Sequence, residues 1–331
     1  MTIRSLTIKP IVRELKFDGN MSEIMAPLEA LRDCTTCPRN CHADRGSEQL
    51  GYCRSGMGFS IGSICAHRGE EPVISGQHGI CNIFFTHCNM QCVYCQNWQI
   101  SHNRQGVVEH KMELSEVISR IEAILDAGSK SVGFVSPSHF IPQVRVIMNA
   151  LKARGRKPVY LFNTSSYDKK ETIEAFDGEV DVYLPDLKYM DDRLAEAHSD
   201  TPGYSAIATA AIKEMFRQKG SNIWLDDDGL ITSGLIIRHL VMPGQVENSK
   251  AVLRWIACEL SPSVHVSLMA QYRPTPRVAG HPKLGRYITP QEYDEVLEEF
   301  HRLGFYRGWV QELDAPENYT PDFVFEHPFE R

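Results

Sequence analysis

The sequence predicts an α/β fold in which parallel strands are covered by helices on the outside. From about residue 78, short runs rich in β-branched residues alternate with longer segments of helical periodicity. Six or so such β-α units follow one another, and consecutive units of this kind place their strands parallel. An open, doubly wound sheet fits this alternation as well as a barrel does, so the pattern alone leaves both architectures open.

The individual elements follow from local signals. Each strand segment is a short apolar run, and each helical segment carries apolar residues at a spacing of three and four. Gly128 supplies a stop for the first helix. In chain order the predicted elements are strand 81–87, helix 115–128, strand 131–136, helix 140–155, strand 158–163, helix 169–176, strand 180–188, helix 205–220, strand 235–244, helix 248–260, strand 264–272, helix 289–304 and a candidate last strand at 306–313.

Composition excludes several classes of protein. The chain has 331 residues with a net charge of −7, and no basic stretch indicates a nucleic-acid partner. No apolar run approaches the roughly 20 residues of a membrane span, and the N-terminus lacks the features of a signal peptide. We therefore expect a cytoplasmic protein. In that reducing compartment, the ten cysteines favour metal binding over disulfides.

Three of these cysteines form the most informative motif. Cys88, Cys92 and Cys95 have the spacing C-x3-C-x2-C. Three thiolates can hold three irons of a cubane iron–sulfur cluster and leave the fourth iron open, where it can bind a small molecule and pass it an electron. The alternatives are a zinc knuckle or three reduced, buried thiols.

The residues around this motif resemble the cluster loop of radical S-adenosylmethionine (SAM) enzymes. The aromatic Tyr94 precedes the third cysteine, Gln96 and Asn97 follow it, and an apolar strand segment leads into the loop. The chain is most similar to the pyruvate formate-lyase activating enzyme group, and within it to a less characterised branch with an added cysteine-rich N-terminal segment. The resemblance covers about residues 78–313, and weaker similarity extends back to about residue 34.

This resemblance implies a partial (β/α)6 TIM-like barrel that holds a [4Fe–4S] cluster and SAM. It divides the chain into a cysteine-rich N-terminal segment (1–77), a barrel (78–313) and a C-terminal tail (314–331). In such barrels, functional side chains lie at the carboxyl ends of the strands. The residues predicted at those ends include Cys88, His139, Asn163, Asp186, His239 and Tyr272.

The resemblance also assigns SAM-binding roles, with one departure at the second strand. Where the activating enzymes carry a Gly-Gly-Glu segment that receives the SAM amino group, this chain has Ser136, Ser138 and His139. The amino group would then bind a serine hydroxyl or a backbone carbonyl. His139 is either a contact of SAM or substrate, or a polar neighbour of the helix start.

Further candidates follow the later strands. Asn163 stands where the group has an aspartate, so a monovalent cation at that position is in doubt. Lys188 would pair with the SAM carboxylate, and Asp186 would orient it or a ribose group. The remaining cofactor-binding candidates are Tyr94 in the cluster loop, Arg238 for a carboxylate, Met242 for an adenine contact or for core packing, and Tyr272 near the position of an adenosine-contacting histidine.

The N-terminal segment carries a second group of cysteines. Cys34, Cys37 and Cys41 are closely spaced, and Cys53 follows after eleven intervening residues. Four such thiolates in loops resemble a closed structural zinc site or an auxiliary cluster, and the alternative is ordinary buried cysteine. Cys65 and Cys81 are substitutes or additions to this set, and Cys258 is expected in the core.

Three functions are compatible with these residues. The first is an activase that places a radical on a glycine of a partner enzyme. The second is radical SAM modification of a small molecule or peptide, and the third is a metal-binding scaffold or electron carrier without catalysis. The two enzymatic functions require an electron donor of the flavodoxin or ferredoxin type.

Overall fold

The computed structural model describes residues 20–47, 50–104, 106–313 and 320–329. The predicted N-terminal segment and C-terminal tail therefore lie partly outside the described residues. Within them, the strands belong to one extended sheet. They are β1 Phe59–His67, β2 Ile80–Phe85, β3 His110–Met112, β4 Ser131–Val135, β5 Val159–Thr164, β6 Val182–Pro185, β7 Trp224–Leu225, β8 Ile231–Leu240, β9 His265–Met269 and β10 Gly308–Val310.

The sheet is built around parallel strands, as predicted. In spatial order β2, β4, β5, β6, β8, β9 and β10 are all parallel neighbours. Each of the seven predicted strand segments overlaps one of them. β1 pairs antiparallel with β2, β3 with β1, and β7 with β8. The fold is the predicted α/β architecture, a partial TIM-like barrel with antiparallel strands added at its β2 edge.

Helices cover the sheet, and their apolar faces explain their positions. In α4, Leu114, Val117, Ile118 and Ile121 repeat at helical spacing and are buried. Among the described residues, no helix is long and apolar enough to cross a membrane. The helices are α1 Met21–Met25, α2 Pro72–Ser75, α3 Trp98–Ser101, α4 Leu114–Asp126, α5 Ile141–Ala153, α6 Lys170–Glu174, α7 Asp192–Ser199, α8 Tyr204–Lys219, α9 Val246–Glu259 and α10 Pro290–Arg302, with 3-10 turns at Ala26–Asp33, Pro137–His139 and Pro276–Val278.

β1 was not predicted from the sequence. Its nine residues lie in the segment that we expected to be rich in loops, and all but one are buried. Both faces of β1 are covered, so its sequence lacks the alternation of polar and apolar residues that identifies a half-exposed strand. The first 3-10 turn, Ala26–Asp33, packs on α5. The N-terminal segment thus contacts the barrel along both an edge strand and a helix.

Cys258 does not lie in the core as expected. It belongs to α9, and its side chain is exposed. The buried face of α9 carries Val252, Leu253 and Ile256, and Cys258 falls on the opposite side of the helix. The expectation was wrong because it rested on the apolar residues next to Cys258 in the sequence, whereas Cys258 lies four residues after Arg254 and shares the polar face of the helix.

Candidate active site

The carboxyl ends of the parallel strands surround a cavity of about 230 Å3, which we name the central cavity. The loop after β2 forms one wall, and residues at the ends of β4, β5, β6 and β8 form the others. Phe329, the loop after β1, and Met269 and Gln271 at the end of β9 complete the lining. The predicted site residues that line the central cavity are Cys88, Cys92, Tyr94, Cys95, Ser136, Asn163, Asp186, Lys188 and Arg238.

Each of the three cysteine sulfurs accepts a hydrogen bond. The backbone N–H of Met90 lies 3.4 Å from Cys88 Sγ, Ser199 Oγ lies 3.0 Å from Cys92 Sγ, and Ser101 Oγ lies 3.2 Å from Cys95 Sγ. Hydrogen bonds of this kind stabilise thiolates that bind iron. Burial raises the pKa of Cys88 and of Cys92, so cluster binding must displace their protons. These donors are what a cluster loop requires.

The loop that carries the cysteines is fixed from several sides. Asn103 Nδ2 donates to the carbonyl oxygen of Cys88 at 2.9 Å, and Asn89 Nδ2 donates to the carbonyl oxygen of Tyr167 at 2.9 Å. The hydroxyl of Tyr94 lies 2.6 Å from that of Tyr189. Tyr94 is therefore held by its polar end against the segment that follows β6, and it lines the central cavity.

A buried ion pair lies beside the cysteines. Lys188 Nζ donates to Asp186 Oδ2, and both side chains line the central cavity. Burial alone would lower the pKa of Lys188, but the neighbouring Asp186 carboxylate and Cys92 raise it above its ordinary value. The ammonium is therefore charged inside a partly desolvated cavity, where it can bind an anionic group.

Arg238 has acidic partners that the sequence analysis did not identify. Its guanidinium donates to the carboxylates of Glu70 and Glu71, which follow β1. Asn82 Nδ2 donates to Glu70 Oε1 at 2.7 Å, and a side chain at Gly133 would collide with the Asn82 amide. Burial by itself would raise the pKa of the Glu70 carboxyl. The Arg238 cation outweighs this effect, so the pKa lies below its ordinary value. The cation of Arg238 is thus already neutralised.

The ends of β4 and β5 present polar groups to the cavity. Ser136 adopts left-handed backbone angles, φ 53° and ψ 54°, which strain a residue other than glycine. Its N–H donates to the Asn163 carbonyl oxygen at 2.8 Å. Ser165 also lines the cavity, and its buried hydroxyl has no hydrogen-bond partner. An unsatisfied buried hydroxyl at a cavity wall fits a polar ligand such as a ribose hydroxyl.

The model of the Radical SAM superfamily matches residues 82–256, more than half of the chain. The chain belongs to the radical SAM superfamily. It is 28% identical over 275 residues to the uncharacterized protein MJ0674 of Methanocaldococcus jannaschii, an alignment that includes 81% of this chain and 74% of the relative. The superfamily implies a radical SAM enzyme with a [4Fe–4S] cluster and SAM, and the cysteines, their hydrogen-bond donors and the free Ser165 hydroxyl fit both groups.

Several solved structures are similar to part of this chain. Streptococcus suis SuiB bound to S-adenosylmethionine has a TM-score of 0.45 at 13% identity, covering 69% of this chain and 48% of SuiB. A domain of pyruvate-formate lyase-activating enzyme from Bacteroides vulgatus has a TM-score of 0.37 at 14% identity, covering 52% and 93%. HydG from Carboxydothermus hydrogenoformans has a TM-score of 0.48 at 11% identity, covering 68% and 50%. The chain thus spans about half the length of SuiB and of HydG.

Four of the residues predicted to bind SAM are not part of the lining of the central cavity. Ser138 is buried, with its hydroxyl 3.4 Å from Thr164 Oγ1. Met242 is buried in the core, and the hydroxyl of Tyr272 donates to the Leu284 carbonyl oxygen at 2.6 Å. His139 lines a separate cavity. These four side chains do not line the central cavity.

The N-terminal cysteines lie together around that separate cavity, which we name the N-terminal cavity. It measures about 10 Å3, and its lining includes the four predicted thiols and His139. Burial, followed by the neighbouring Cys53, Cys34 and Cys41 thiols, raises the pKa of Cys37 to about 12. The predicted substitutes Cys65 and Cys81 are buried in β1 and β2 and do not line it.

Neither cysteine group is arranged around a single ion. In the described part of the chain, no three His, Cys, Asp or Glu side chains converge on a point where one metal ion could bind. Cysteine side chains turn easily about their single Cα–Cβ bond. Metal binding at either group therefore requires side chains to rotate and lose protons.

Proposed function

We propose that the protein reductively cleaves SAM in the central cavity and abstracts a hydrogen atom from a substrate. When bound, the reduced cluster supplies the electron that splits SAM into methionine and a 5′-deoxyadenosyl radical, which takes the hydrogen atom. The observation that carries this proposal is the shared cavity of Cys88, Cys92 and Cys95, each with a hydrogen bond to its sulfur, and the buried ammonium of Lys188.

The chain's own residues have distinct roles in this proposal. The three thiolates hold the cluster, and Lys188 binds the SAM carboxylate while Asp186 keeps the ammonium charged and oriented. Ser165 supplies a hydroxyl for a polar group of the ligand. The aromatic side chains of Phe84 and Phe329 in the cavity lining would help to exclude water, which protects a reactive radical from side reactions.

The substrate is the finer question, and the walls of the central cavity bear on it. An activase must admit a glycine-bearing loop of a partner enzyme. Here the ring of Phe329 packs on the rings of His67 and Phe84, with distances between ring centroids of 4.0 Å and 5.5 Å. All three residues line the cavity. Gln99 Nε2 holds the same C-terminal stretch by donating to Asp322 at 2.9 Å. This wall favours a small molecule or a short peptide over a large partner.

The activase function remains the second candidate, since it follows from the similarity of the cluster loop and the strand-end segments to activating enzymes. It would make a glycyl radical enzyme the partner. Under either function, the electron donor is a flavodoxin or ferredoxin type protein.

Anaerobic reconstitution with iron and sulfide tests the proposal. With dithionite and SAM, we expect 5′-deoxyadenosine and methionine in equal amounts, measured by liquid chromatography and mass spectrometry. The matched control is the chain with Cys88, Cys92 and Cys95 replaced by alanine, which should form neither. A reconstituted protein that forms no 5′-deoxyadenosine would leave the non-catalytic scaffold as the better account.

We also propose that Cys34, Cys37, Cys41 and Cys53 hold a second metal centre, zinc or an iron–sulfur cluster. Their common cavity supports this, because four cysteines gathered around one cavity are the donor set of closed structural metal sites. Such a centre would contribute folding free energy to that segment.

A further inference from the structure

His139 is buried at the boundary between the barrel and the N-terminal segment. It ends the turn Pro137–His139 after β4, and only 1% of its surface is exposed. His139 lines the N-terminal cavity together with the four cysteines. Its Nε2 lies 2.9 Å from the carbonyl oxygen of Thr86, while its buried Nδ1 has no hydrogen-bond partner.

The contact with Thr86 determines which ring nitrogen carries the proton. A carbonyl oxygen can only accept, so Nε2 must be the N–H donor in this bond. A neutral imidazole then has a bare lone pair on Nδ1. An unpaired, fully buried acceptor is rare in proteins and calls for an explanation.

A bound metal ion would account for the unpaired Nδ1 of His139. Histidines that bind metals usually donate their other ring N–H to a backbone carbonyl or carboxylate, which fixes the tautomer and the ring orientation. The Nε2–H to Thr86 bond has this form, and the cavity offers thiols as the other ligands. Its volume of about 10 Å3 is the room of one small atom or ion.

We propose that His139 Nδ1 is a ligand of the N-terminal metal centre and completes a tetrahedral site with three of the thiolates of Cys34, Cys37, Cys41 and Cys53. This inference rests on the proposed second metal centre, and it assigns that centre to a single ion of the zinc class, for which three sulfurs and one nitrogen are a common set. The thiol side chains rotate towards the ion when it binds.

Such a site would tie the N-terminal segment to the catalytic half of the protein. His139 lies three residues after Ser136, which lines the central cavity, and Arg45 Nη1 donates to the His139 carbonyl oxygen at 2.6 Å. Asn103 Nδ2 bridges the carbonyl oxygens of Tyr52 and Cys88 at 2.9 Å each. The metal would thus hold in place both the SAM-facing turn and the cluster loop.

X-ray absorption at the zinc edge tests the ligand set. The sample is the full chain with Cys88, Cys92 and Cys95 replaced by alanine and loaded with Zn2+, so that the only cysteine group left for zinc is the N-terminal one. We expect three sulfur scatterers and one nitrogen scatterer from an imidazole. A shell of four sulfurs would overturn the role of His139 and leave the metal centre standing, and a chain that binds no zinc would overturn both.

A variant series gives an independent measurement in the same background. His139→Ala should weaken Zn2+ binding at least tenfold in competition with a chelator, because even partners of metal ligands are worth 10 to 100-fold in affinity. The matched control is His239→Ala, since His239 is equally buried but has both ring nitrogens bonded, to Leu187 and Ser249. Unchanged affinity in His139→Ala, or an equal loss in the control, would overturn the inference. If His139→Ala does not fold, the X-ray absorption spectrum of the chain with His139 intact decides whether an imidazole nitrogen binds the zinc ion.

Discussion

Replacing Lys188 by alanine should weaken SAM binding without removing the cluster. The ammonium is 17% exposed in its side chain, is paired with Asp186 and shares the central cavity with the cysteines. A hydrogen bond to a charged group contributes about 1.5 to 3 kcal/mol. The substitution removes one such bond to the ligand carboxylate and also leaves Asp186 without its cation, which repels that carboxylate. We therefore expect a Kd about one to two decades higher.

Anaerobic calorimetry of the reconstituted protein with SAM measures this effect, with iron and sulfide analysis to confirm that the cluster is intact. The matched control is Lys213→Ala, which removes an exposed lysine paired with Glu259 on the outer surface. An exposed pair of this kind contributes little, and we expect unchanged affinity. If Lys188→Ala also binds SAM with unchanged affinity and keeps its cluster, the assignment of Lys188 to the SAM carboxylate is refuted.

Three further predictions concern the clusters and the buried charges. Alanine at Cys88, Cys92 and Cys95, in a chain that also lacks the N-terminal cysteines, should abolish all cluster signal in spin resonance; a remaining signal would refute the assignment. Alanine at Cys37 and Cys41 should lower the metal content and the thermal stability and speed proteolysis of residues 1–77, while the catalytic cluster survives; unchanged proteolysis and metal content would make these ordinary cysteines. Arg238→Met should cost about 3 to 5 kcal/mol of stability at pH 8, because it leaves Glu70 and Glu71 buried without a cation.

The pH dependence of the Arg238 variant distinguishes lost charge from lost packing. In the native protein the pKa of Glu70 is lowered, so its contribution to stability is present above the ordinary value of 4.5 and is lost as the pH falls through the lowered pKa. In Arg238→Met, burial without a cation should raise the pKa instead, and stability should recover as the pH falls from 8 to 5. A melting temperature deficit that is constant over this range would contradict the electrostatic account.

The parallel strands β2, β4 and β6 were predictable because each is a mainly apolar run that is buried on both faces. β4 and β6 are completely buried, and their predicted segments end where the chain turns towards the central cavity. Since carboxyl ends of parallel strands meet at one edge, the strand pattern is enough to predict that Ser136, Asn163 and Asp186 lie together, as they do around the central cavity. Their roles in binding SAM stay predictions.

The position of His139 could not be predicted from the strand pattern. It follows β4 as closely as a cavity residue would, yet it lines the N-terminal cavity. The left-handed backbone at Ser136 turns the chain between the two. One left-handed residue does not alter the pattern of apolar residues from which strands are predicted. Glycine is the usual residue at such backbone angles, so a serine gives no sign of the turn.

The acidic partners of Arg238 could not be predicted from the sequence for a different reason. Glu70 and Glu71 are separated from Arg238 by more than 160 residues, and they reach it only because β1 joins the sheet at β2. Two adjacent glutamates after an unrecognised strand are most simply taken as a surface turn. Long-range ion pairs of this type are set by topology, which the local sequence does not encode.

These buried carboxylates change the significance of the missing glutamate at the end of β4. The activating enzymes place an acidic residue there for the SAM amino group, and this chain has Ser136 to His139 instead. Negative charge is nevertheless present beside its cavity, because the carboxylates of Glu70 and Asp186, which line it, and of Glu71 behind them are paired with only the two cations of Arg238 and Lys188. The one negative charge that has no cation lies in a partly desolvated space, where electrostatic interactions are stronger than in water. A cationic ligand such as the sulfonium of SAM is therefore favoured in this cavity even without the family's glutamate, and the departure in sequence does not count against SAM binding.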